Sequence, residues 1–213
     1  MQLIGMLDSP YVRRIAISLQ LLELPFEHQS ISVFRQFAQF QAINPVVKAP
    51  SLVCDDGVVL MDSTLILDYA EALAGPDKSL MPSAIAERQH ALYVIGLALA
   101  ACEKSVQIVY EKNLRPVEKI HTPWIERVTG QLLAAYDALE LALANRPLAV
   151  SNDSINQAGI STAVAWYFTQ QMMPEIVLST KYPRLQKFSM QAEQLAEFIA
   201  APHGATTYLQ GAK

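Results

Sequence analysis

Glycine is scarce in this chain, and the glycine-rich loops that bind nucleotides are missing. Only 8 of the 213 residues are glycine, and none belongs to a GxGxxG or GxxxxGK(S/T) pattern. Those patterns place backbone N–H groups against phosphates at the start of a helix, which larger residues would obstruct. A nucleotide-binding site is therefore not expected.

The chain also lacks any concentration of positive charge. Its 16 Lys and Arg residues are outnumbered by 20 Asp and Glu residues, the formal net charge is −4, and no basic run occurs. Binding to a polyanion normally requires a basic face. The composition argues against nucleic acid as the main ligand and favours a soluble protein that binds a small molecule.

Cysteine and histidine are too few and too scattered to predict a metal site. Cys54 and Cys102 have no CxxC spacing, and the four histidines form no HxH or HExxH pattern. No metal is expected. The opening MQLIGMLDSP is too short and too soon interrupted for a signal peptide, and two free thiols suit a reducing compartment. We expect a cytoplasmic location.

An apolar run long enough to cross a membrane is absent as well. The most apolar stretch, HALYVIGLALAACEKSVQIVY, is interrupted by Glu103 and Lys104. A membrane span needs about 20 consecutive apolar residues, and this run stops short of that length. We expect a buried core helix there and no membrane partner.

The predicted secondary structure changes near residue 76, from mixed strands and helices to helices alone. Before it, the apolar runs 2–6, 25–33, 50–54 and 58–61 have strand character, and helical spacing covers 10–24 and 63–73. The order is β-α-β, a variable segment, then a hairpin at Asp55-Asp56-Gly57 and a helix. This order predicts a small mixed sheet with helices on its faces. From about residue 84 onward only helices are predicted.

The stretch SPYV at residues 9–12 begins the first predicted helix and has two interpretations. Cys-Pro-Tyr-Cys at this place would be a dithiol redox site, but serine and valine occupy the two cysteine positions. Ser9 before a proline is a sufficient helix N-cap. Alternatively, its hydroxyl at a helix N-terminus could donate to the sulfur of a bound thiol and lower the pKa of that thiol.

A second candidate segment is NPVVKAP at residues 44–50, where two prolines bracket a short loop before a strand. A trans proline would make it an ordinary tight turn. If the Ala49–Pro50 bond is cis, the backbone N–H and C=O of Ala49 are left unpaired by the sheet. Those two groups could then hold an extended peptide in the manner of an added strand.

A third candidate is MDST at residues 61–64, where a strand meets a helix. Asp62 or Ser63 there is first of all an N-cap, worth about 1 kcal/mol. The same geometry also suits an α-amino-acid end, because helix N–H groups favour a carboxylate and a neighbouring Asp favours an ammonium.

Taken together, these three motifs resemble the cytosolic glutathione S-transferases, particularly bacterial serine-type members. SPYVRR is similar to the family's serine-bearing start of helix 1, NPVVKAPSL to its Asn-Pro-x-Gly-x-Val-Pro loop, and MDSTLILDYAE to its Glu/Asp-Ser motif. INQAGIS and KYPRLQKF fall where the family has its sixth helix and a Pro-Arg/His-Leu stretch. The resemblance spans nearly the whole chain.

The resemblance implies a glutathione-dependent transferase in which Ser9 is catalytic and hydrogen-bonds the glutathione thiolate. Ala49 would pair its backbone with the cysteinyl part, with Pro50 in the cis form. The γ-glutamyl end would be held by Asp62 and Ser63, and Lys48 would contact the glycyl carboxylate. Glutathione would be the co-substrate.

The resemblance also implies the architecture around that site. A thioredoxin-like α/β domain is expected over residues 1–76, and an all-helical domain that contributes the electrophile pocket over 84–213. A small hydrophobic electrophile would meet Tyr11, Tyr110 and Trp124, which are equally well explained as ordinary core aromatics. A homodimer is expected, with the first domain of one subunit against the helices of the other.

Three features depart from the family's pattern, one of them Asp62, which is shorter than the commoner Glu. Val47 stands where a glycine is common, which could reshape the loop. Asn156-Gln157-Ala158-Gly159 replaces the usual Ser/Thr-x-x-Asp cap, and Ser154 with Gln157 is expected to form a capping box instead.

Two rival functions stay open at this stage. One is a glutathione-dependent isomerase, dehalogenase or peroxidase on the same scaffold. The other is a non-catalytic binding or regulatory protein, since each of the implied site residues also serves as a helix cap.

Overall fold

The structure, a computed structural model, describes residues 1–208. The chain forms two compact units. The first contains Met1–Met81 together with the chain from Glu193 onward, and the second is Pro82–Ala192. The elements of the first unit are β1 (Gln2–Ile4), α1 (Pro10–Leu21), β2 (Glu27–Gln29), α2 (Phe37–Ile43), β3 (Ser51–Val53), β4 (Val59–Met61), α3 (Ser63–Ala74) and α8 (Ala196–Ala200).

The sheet of the first unit has the strand order β2-β1-β3-β4. β1 pairs with β2 in parallel, while the β1–β3 and β3–β4 pairs are antiparallel. Leu3 lies opposite Leu52, and both side chains are fully buried. The mixed sheet with helices confirms the predicted thioredoxin-like α/β fold class, although β2 is much shorter than the predicted strand over 25–33.

Helices α1 and α3 pack together in this unit through their apolar residues. Ile15 and Leu19 of α1 and Ile66 and Ala70 of α3 are fully buried. The spacing of three and four residues places each pair on one face of its helix. The segment left as variable contains α2, whose Phe40 is fully buried against Ile4 of β1.

The chain from Glu193 onward returns to the first unit, whereas the sequence analysis had placed it with the helical domain. Arg13 of α1 is 2% exposed, and its Nη1 and Nη2 donate to Glu193 at 2.7 Å and 2.6 Å. Its Nε donates to the carbonyl of Ala201 at 2.8 Å. A buried guanidinium requires such partners, because an uncompensated buried charge is strongly destabilising.

The second unit is helical. It contains α4 (Ile85–Leu114), α5 (Thr122–Asn145), α6 (Gln157–Met172) and α7 (Pro183–Ala192), with short 3₁₀ turns at Val117–Lys119 and Ser179–Lys181. The core includes Tyr136 of α5, whose hydroxyl lies 2.6 Å from Thr169 Oγ1 of α6. Ser105 of α4 contacts the same Thr169 hydroxyl at 2.8 Å, so three helices meet at one buried hydroxyl cluster.

The start of α6 differs from the predicted capping box. Asn156 is the N-cap, and its Oδ1 accepts from the N–H groups of Ala158 and Gly159 at 3.0 Å and 3.1 Å. Ser154 lies outside the helix and bonds Ser151. A Cβ added to Gly159 would lie 2.9 Å from Ile155 Cγ1, so this position has little room for an acidic side chain.

Judged by length and composition alone, helix α4 is long and apolar enough to cross a membrane. The mean hydropathy of its most apolar window is 1.5. It packs against α5 and α6 within the helical unit. Val94, Ala98 and Ala101 are fully buried there. These contacts agree with a core helix. The absence of a membrane partner and the cytoplasmic location stay predictions.

Candidate functional site

Ser9 is the N-cap of α1, and Pro10 is the first helical residue. Its backbone is relaxed, with φ −73° and ψ 122°, and its Oγ accepts from the N–H of Val12 at 3.5 Å. That distance is at the outer limit of a hydrogen bond, whereas N–H···O bonds are commonest near 2.9–3.0 Å. The cap contact is long, and because it uses an oxygen lone pair, the hydroxyl proton stays available for another acceptor.

The loop before β3 is fixed from within by two buried side chains. Asn44 accepts from the N–H of Val46 at 3.0 Å and donates through Nδ2 to Ser51 Oγ at 2.8 Å. Ser51 in turn donates to the carbonyl of Lys48 at 2.8 Å. Asn44 is 4% exposed and Ser51 is fully buried. These bonds hold residues 44–51 in one conformation.

The Ala49–Pro50 peptide bond within this loop is cis, as the resemblance implied. No hydrogen bond among residues 1–208 uses the backbone N–H or C=O of Ala49. Val47 has φ +53°, the left-handed conformation that glycine adopts readily. The loop therefore keeps the glycine-type backbone although a β-branched residue occupies the position.

Asp62 begins α3 with an unusual backbone, φ +70° and ψ 125°. Its Oδ1 accepts from the N–H of Thr64 at 3.0 Å, and its Oδ2 lies 3.3 Å from the ammonium of Lys48. Burial acts to raise the pKa of the Asp62 carboxyl. The N–H of Thr64 and the charge of Lys48 act in the opposite direction and prevail, so the pKa is lower than the ordinary value of 3.8. Asp62 is an anion at neutral pH.

Arg14 is a residue of this site that the sequence analysis missed. It is 3% exposed on α1, and its Nη1 donates to Ser63 Oγ at 3.2 Å. Its charge also lowers the pKa of Asp62. The signal was present in the sequence, because two consecutive arginines interrupt the apolar helix PYVRRIAISL, and arginine is almost never fully buried without a partner.

Gly5 brings the start of α1 close to the Ala49 loop, and this residue was missed as well. Its φ is +134°, and a Cβ built there would lie 2.7 Å from Val12 Cγ2 and 3.2 Å from Ala49 Cβ. Its carbonyl is 2.7 Å from His28 Nε2. The pKa of His28 is lowered by burial, with the Gly5 carbonyl acting against that shift. A neutral His28 therefore hydrogen-bonds the carbonyl of Gly5, which lies between the end of β1 and the start of α1.

The aromatic residues proposed for the electrophile pocket are distributed over both units. Tyr110 of α4 and Trp124 of α5 line one cavity of about 490 Å³ in the helical unit. Tyr11 is half-buried on α1 of the first unit and is not among the residues that line that cavity. Among residues 1–208, no group of three or more His, Cys, Asp or Glu side chains could hold a metal ion.

The chain is similar in sequence and fold to known proteins. Residues 3–78 match the family model for the glutathione S-transferase N-terminal domain. The uncharacterized GST-like protein YibF of Escherichia coli (strain K12) is 27% identical over 165 residues, which are 78% of this chain and 80% of that protein.

Solved structures extend the likeness over nearly the whole chain. A glutathione transferase family member from Pseudomonas fluorescens Pf-5, solved with bound glutathione, is 26% identical with a TM-score of 0.80, covering 95% of this chain and 98% of the other. Maleyl pyruvate isomerase, a bacterial Zeta-class member, shares the fold at 20% identity with a TM-score of 0.74 and coverage of 97% and 98%. The same fold thus supports more than one reaction.

Proposed function

Since the chain is a member of the glutathione S-transferase family, we propose that it binds glutathione at its first unit and activates the thiol for attack on a small electrophile. The observation that carries this proposal is the arrangement at the start of α3. There an anionic Asp62 lies beside Ser63, whose hydroxyl accepts from the buried guanidinium of Arg14. An anion beside helix N–H groups and a buried cation is complementary to an α-amino acid, which carries both charges.

The γ-glutamyl end of glutathione would use this arrangement directly. Its ammonium would meet the carboxylate of Asp62, and its carboxylate would meet the hydroxyl and N–H of Ser63 at the start of α3. The cysteinyl part would pair with the N–H and C=O of Ala49, which are unused by the sheet. Lys48 contacts Asp62 in the structure, and its proposed bond to the glycyl carboxylate requires its ammonium to turn from that carboxylate.

Ser9 would then act on the sulfur. Its hydroxyl donates a hydrogen bond to the thiolate, and the N-terminus of the 12-residue α1 adds favourable positive potential. Both effects lower the pKa of the bound thiol, so the proton leaves to solvent at neutral pH. The sulfur lone pair forms the new bond to the electrophilic centre, and the leaving group departs with its bonding pair.

The long Ser9–Val12 contact is compatible with a serine that serves a ligand as well as the helix cap. A serine retained only as a helix cap is expected to bond its N–H partner at an ordinary distance, as Asn156 does at 3.0 Å and 3.1 Å. The hydroxyl of Ser9 lies 3.5 Å from its partner instead. Serine also forms no mixed disulfide, so thiol activation suits this position better than dithiol redox chemistry.

Calorimetry with glutathione tests the binding step. Asp62→Asn keeps the size of the side chain and its ability to cap α3 but removes the charge. We expect glutathione affinity to fall at least tenfold, because hydrogen bonds to charged groups contribute about 1.5–3 kcal/mol. Asp68→Asn, on an exposed position of the same helix, is the matched control and should leave affinity unchanged. No glutathione binding by the wild-type protein would overturn the proposal.

We further propose that the protein is a homodimer. Leu65, Tyr69 and Leu73 of α3 are 63%, 36% and 49% exposed and recur every four residues, so they form one apolar stripe on the surface. Such a stripe on a helix is typical of an association surface. Leu65→Glu should shift the sedimentation coefficient to that of a monomer, whereas Asp68→Lys on the same helix should not.

A further inference from the structure

The chain from residue 193 to residue 208, which we call the C-terminal strap, is held on the first unit by two separate sets of contacts. The first set joins residues 193–201 to α1. Besides the bonds of Arg13 described above, Gln20 Nε2 donates to the carbonyl of Glu197 at 3.0 Å. Arginine keeps its charge at every pH at which proteins are folded. This first set of contacts is therefore insensitive to pH near neutrality.

The second set of contacts joins the end of the strap to β2, an edge strand of the sheet. Phe26, His28 and Ser30 alternate along this segment, so their side chains lie on one face of it. Ser30 Oγ donates to the carbonyl of Ala205 at 2.8 Å. The ring of Phe26 stacks on that of Tyr208, with 4.7 Å between centroids. Between these two contacts, His28 Nδ1 accepts from the N–H of Tyr208 at 2.9 Å.

His28 is the residue of this second set that can titrate near neutral pH, and both of its ring nitrogens are engaged. A carbonyl oxygen only accepts, so Nε2, which lies 2.7 Å from the Gly5 carbonyl, carries the ring proton. Nδ1 accepts from the Tyr208 N–H and therefore carries none. Protonation of the ring would place an N–H at Nδ1 that faces the N–H of Tyr208. The bond to the strap thus requires a neutral ring, whereas the bond to Gly5 is compatible with both forms.

The surroundings of His28 favour the neutral form. Its pKa is lowered from 6.5, chiefly by burial, with the Gly5 carbonyl acting in the opposite direction. The ionisable groups on the neighbouring segments are Glu27 of β2, Asp8 and Arg13 at the start of α1, and Glu197, His203 and Tyr208 of the strap. Burial and the Gly5 carbonyl account for the shift in pKa, rather than any of these groups. Because protonation and the strap contact exclude each other, a pH that falls below 6.5 favours a released strap.

Between the two sets of contacts the strap has a point at which it can turn. Gly204 has φ +134°, a conformation that other residues rarely adopt, and a Cβ built there would meet no atom within 4 Å. Residues 205–207 are exposed. Just before this point, His203 hydrogen-bonds the backbone of Asp8. The segment after Gly204 can therefore leave β2 while the part before it stays on α1.

We propose that residues 205–208 form a pH-sensitive latch on β2, which neutral His28 holds closed and which opens when His28 is protonated. Opening uncovers the ring of Phe26, which is 6% exposed in the closed form. The latch is independent of the proposed glutathione-dependent function, because the strap and β2 can both be followed without any ligand.

NMR of the full-length protein tests the latch directly. The heteronuclear NOE of the Tyr208 amide reports whether the strap is ordered, and the ring carbon shifts of His28 report its protonation. We expect an ordered Tyr208 amide at pH 7.5 and a fall of its NOE toward values typical of a mobile terminus at pH 5, with the same midpoint as the His28 titration. The amide of Gly5, which donates to the Gln29 carbonyl, is the internal control and should stay ordered. A Tyr208 amide that stays ordered through the His28 titration would overturn the proposal.

Two substitutions at Tyr208 test the same coupling from the side of the strap. Tyr208→Pro removes the N–H that His28 accepts, so the pKa of His28 should rise toward 6.5. Tyr208→Phe keeps both the N–H and the aromatic ring, and the pKa of His28 should not change. An unchanged pKa of His28 in Tyr208→Pro would mean that the strap and the imidazole are not linked.

The two histidines of this region are separated by one substitution at each. His28→Asn places an amide oxygen near the position of Nδ1 and cannot titrate, so Tyr208 should stay ordered down to pH 5. His203→Gln should leave the transition of the Tyr208 amide where it is in the wild type. If His203→Gln abolished the transition and His28→Asn retained it, the switch would belong to His203, and the proposal would be wrong.

Discussion

The helix starts of the first unit and the start of α6 in the second unit use the same residue types in different ways. At α6, Asn156 has an extended backbone with φ −122°, and its side chain makes two bonds of 3.0 Å and 3.1 Å to helix N–H groups. At α1, Ser9 makes one bond of 3.5 Å. At α3, Asp62 caps the helix from a backbone with φ +70°.

If the proposed function is correct, the difference separates a cap that serves stability from caps that also serve a ligand. Asn156 satisfies two backbone donors at no conformational cost. Ser9 leaves most of its bonding capacity unused, and both Asp62 and the nearby Val47 hold positive φ values that non-glycine residues rarely adopt. Strained backbone and polar groups with unused hydrogen-bonding capacity concentrate at functional sites, where the surrounding structure maintains them. The three loops around Ala49 have this character and the start of α6 does not.

The largest expected effect is on turnover in Ser9→Ala. Loss of a hydrogen bond to a thiolate should reduce kcat/KM roughly 10- to 100-fold and raise the pKa of the bound glutathione thiol. The free energy of unfolding should fall by less than about 0.5 kcal/mol, below the ~1 kcal/mol typical of a lost cap. Turnover with a chromogenic aryl halide, ultraviolet absorbance of the thiolate and urea unfolding measure the three quantities. Unchanged turnover with a full loss of cap energy would identify Ser9 as a cap alone.

The opposite pattern is expected for Asn156→Ala. Removal of two ordinary cap bonds should cost about 1–2 kcal/mol of unfolding free energy. Glutathione affinity should stay the same, since Asn156 belongs to the second unit, whereas the residues proposed to bind the tripeptide belong to the first. Urea unfolding and calorimetry on this variant and on Asn156→Ser, which retains a capping oxygen, give the comparison. A loss of glutathione affinity in the folded variant would remove the distinction drawn between the two units.

Backbone strain at Val47 predicts a smaller difference. Val47 and Val53 both pack against the cluster of Ile4, Ile31 and Phe40, and only Val47 has a positive φ. Glycine at position 47 relieves about 1–2 kcal/mol of left-handed strain, which offsets the lost packing. Val53→Gly has no such compensation. The free energy of unfolding should therefore be about 1–2 kcal/mol higher for Val47→Gly than for Val53→Gly. Equal losses in the two variants would show that the loop carries no strain.

The smallest expected effect concerns the titration of Asp62. A carboxyl group whose pKa is lowered in the folded state stabilises the fold above its unfolded pKa and loses that contribution as pH falls through the folded value. The contribution is small here, because Asp62 is 47% exposed. Lys48→Gln should raise the pKa of Asp62 toward 3.8, the ordinary value, as followed by carboxyl carbon NMR. Lys78→Gln is the control, and an unchanged pKa in Lys48→Gln would mean that Lys48 does not act on Asp62.

Short-range sequence patterns predicted most of the fold and the loops of the candidate site. The order of strands and helices, the Asp55-Asp56-Gly57 turn and the change to helices after residue 76 were readable because each depends on local periodicity and turn chemistry. The three loop motifs were readable for the same reason. The capping box at Ser154 was wrong, because α6 begins at Gln157 with Asn156 as its N-cap, and Ser154 bonds Ser151 outside the helix.

Long-range pairing was the part that local patterns missed. Nothing near Arg13 indicates that Glu193 is its partner, 180 residues away, so the return of the C-terminal segment to the first unit was not anticipated. The role of Arg14 is likewise visible only from its contact with Ser63, and that of Gly5 only from its closeness to Val12 and Ala49. These contacts depend on how α1 packs on α3 and on the sheet.

The sequence by itself determined where most of the helices start, where the chain turns and which loops carry the polar groups proposed to bind a tripeptide, because these properties depend on neighbours within a few residues. Only the tertiary structure decided how those groups are used. It set the Ser9–Val12 cap contact at 3.5 Å, paired Lys48 with Asp62 and buried Arg14 next to Ser63. Distances and burial between segments far apart in the chain set the energy of each of these contacts, and a linear pattern contains neither quantity.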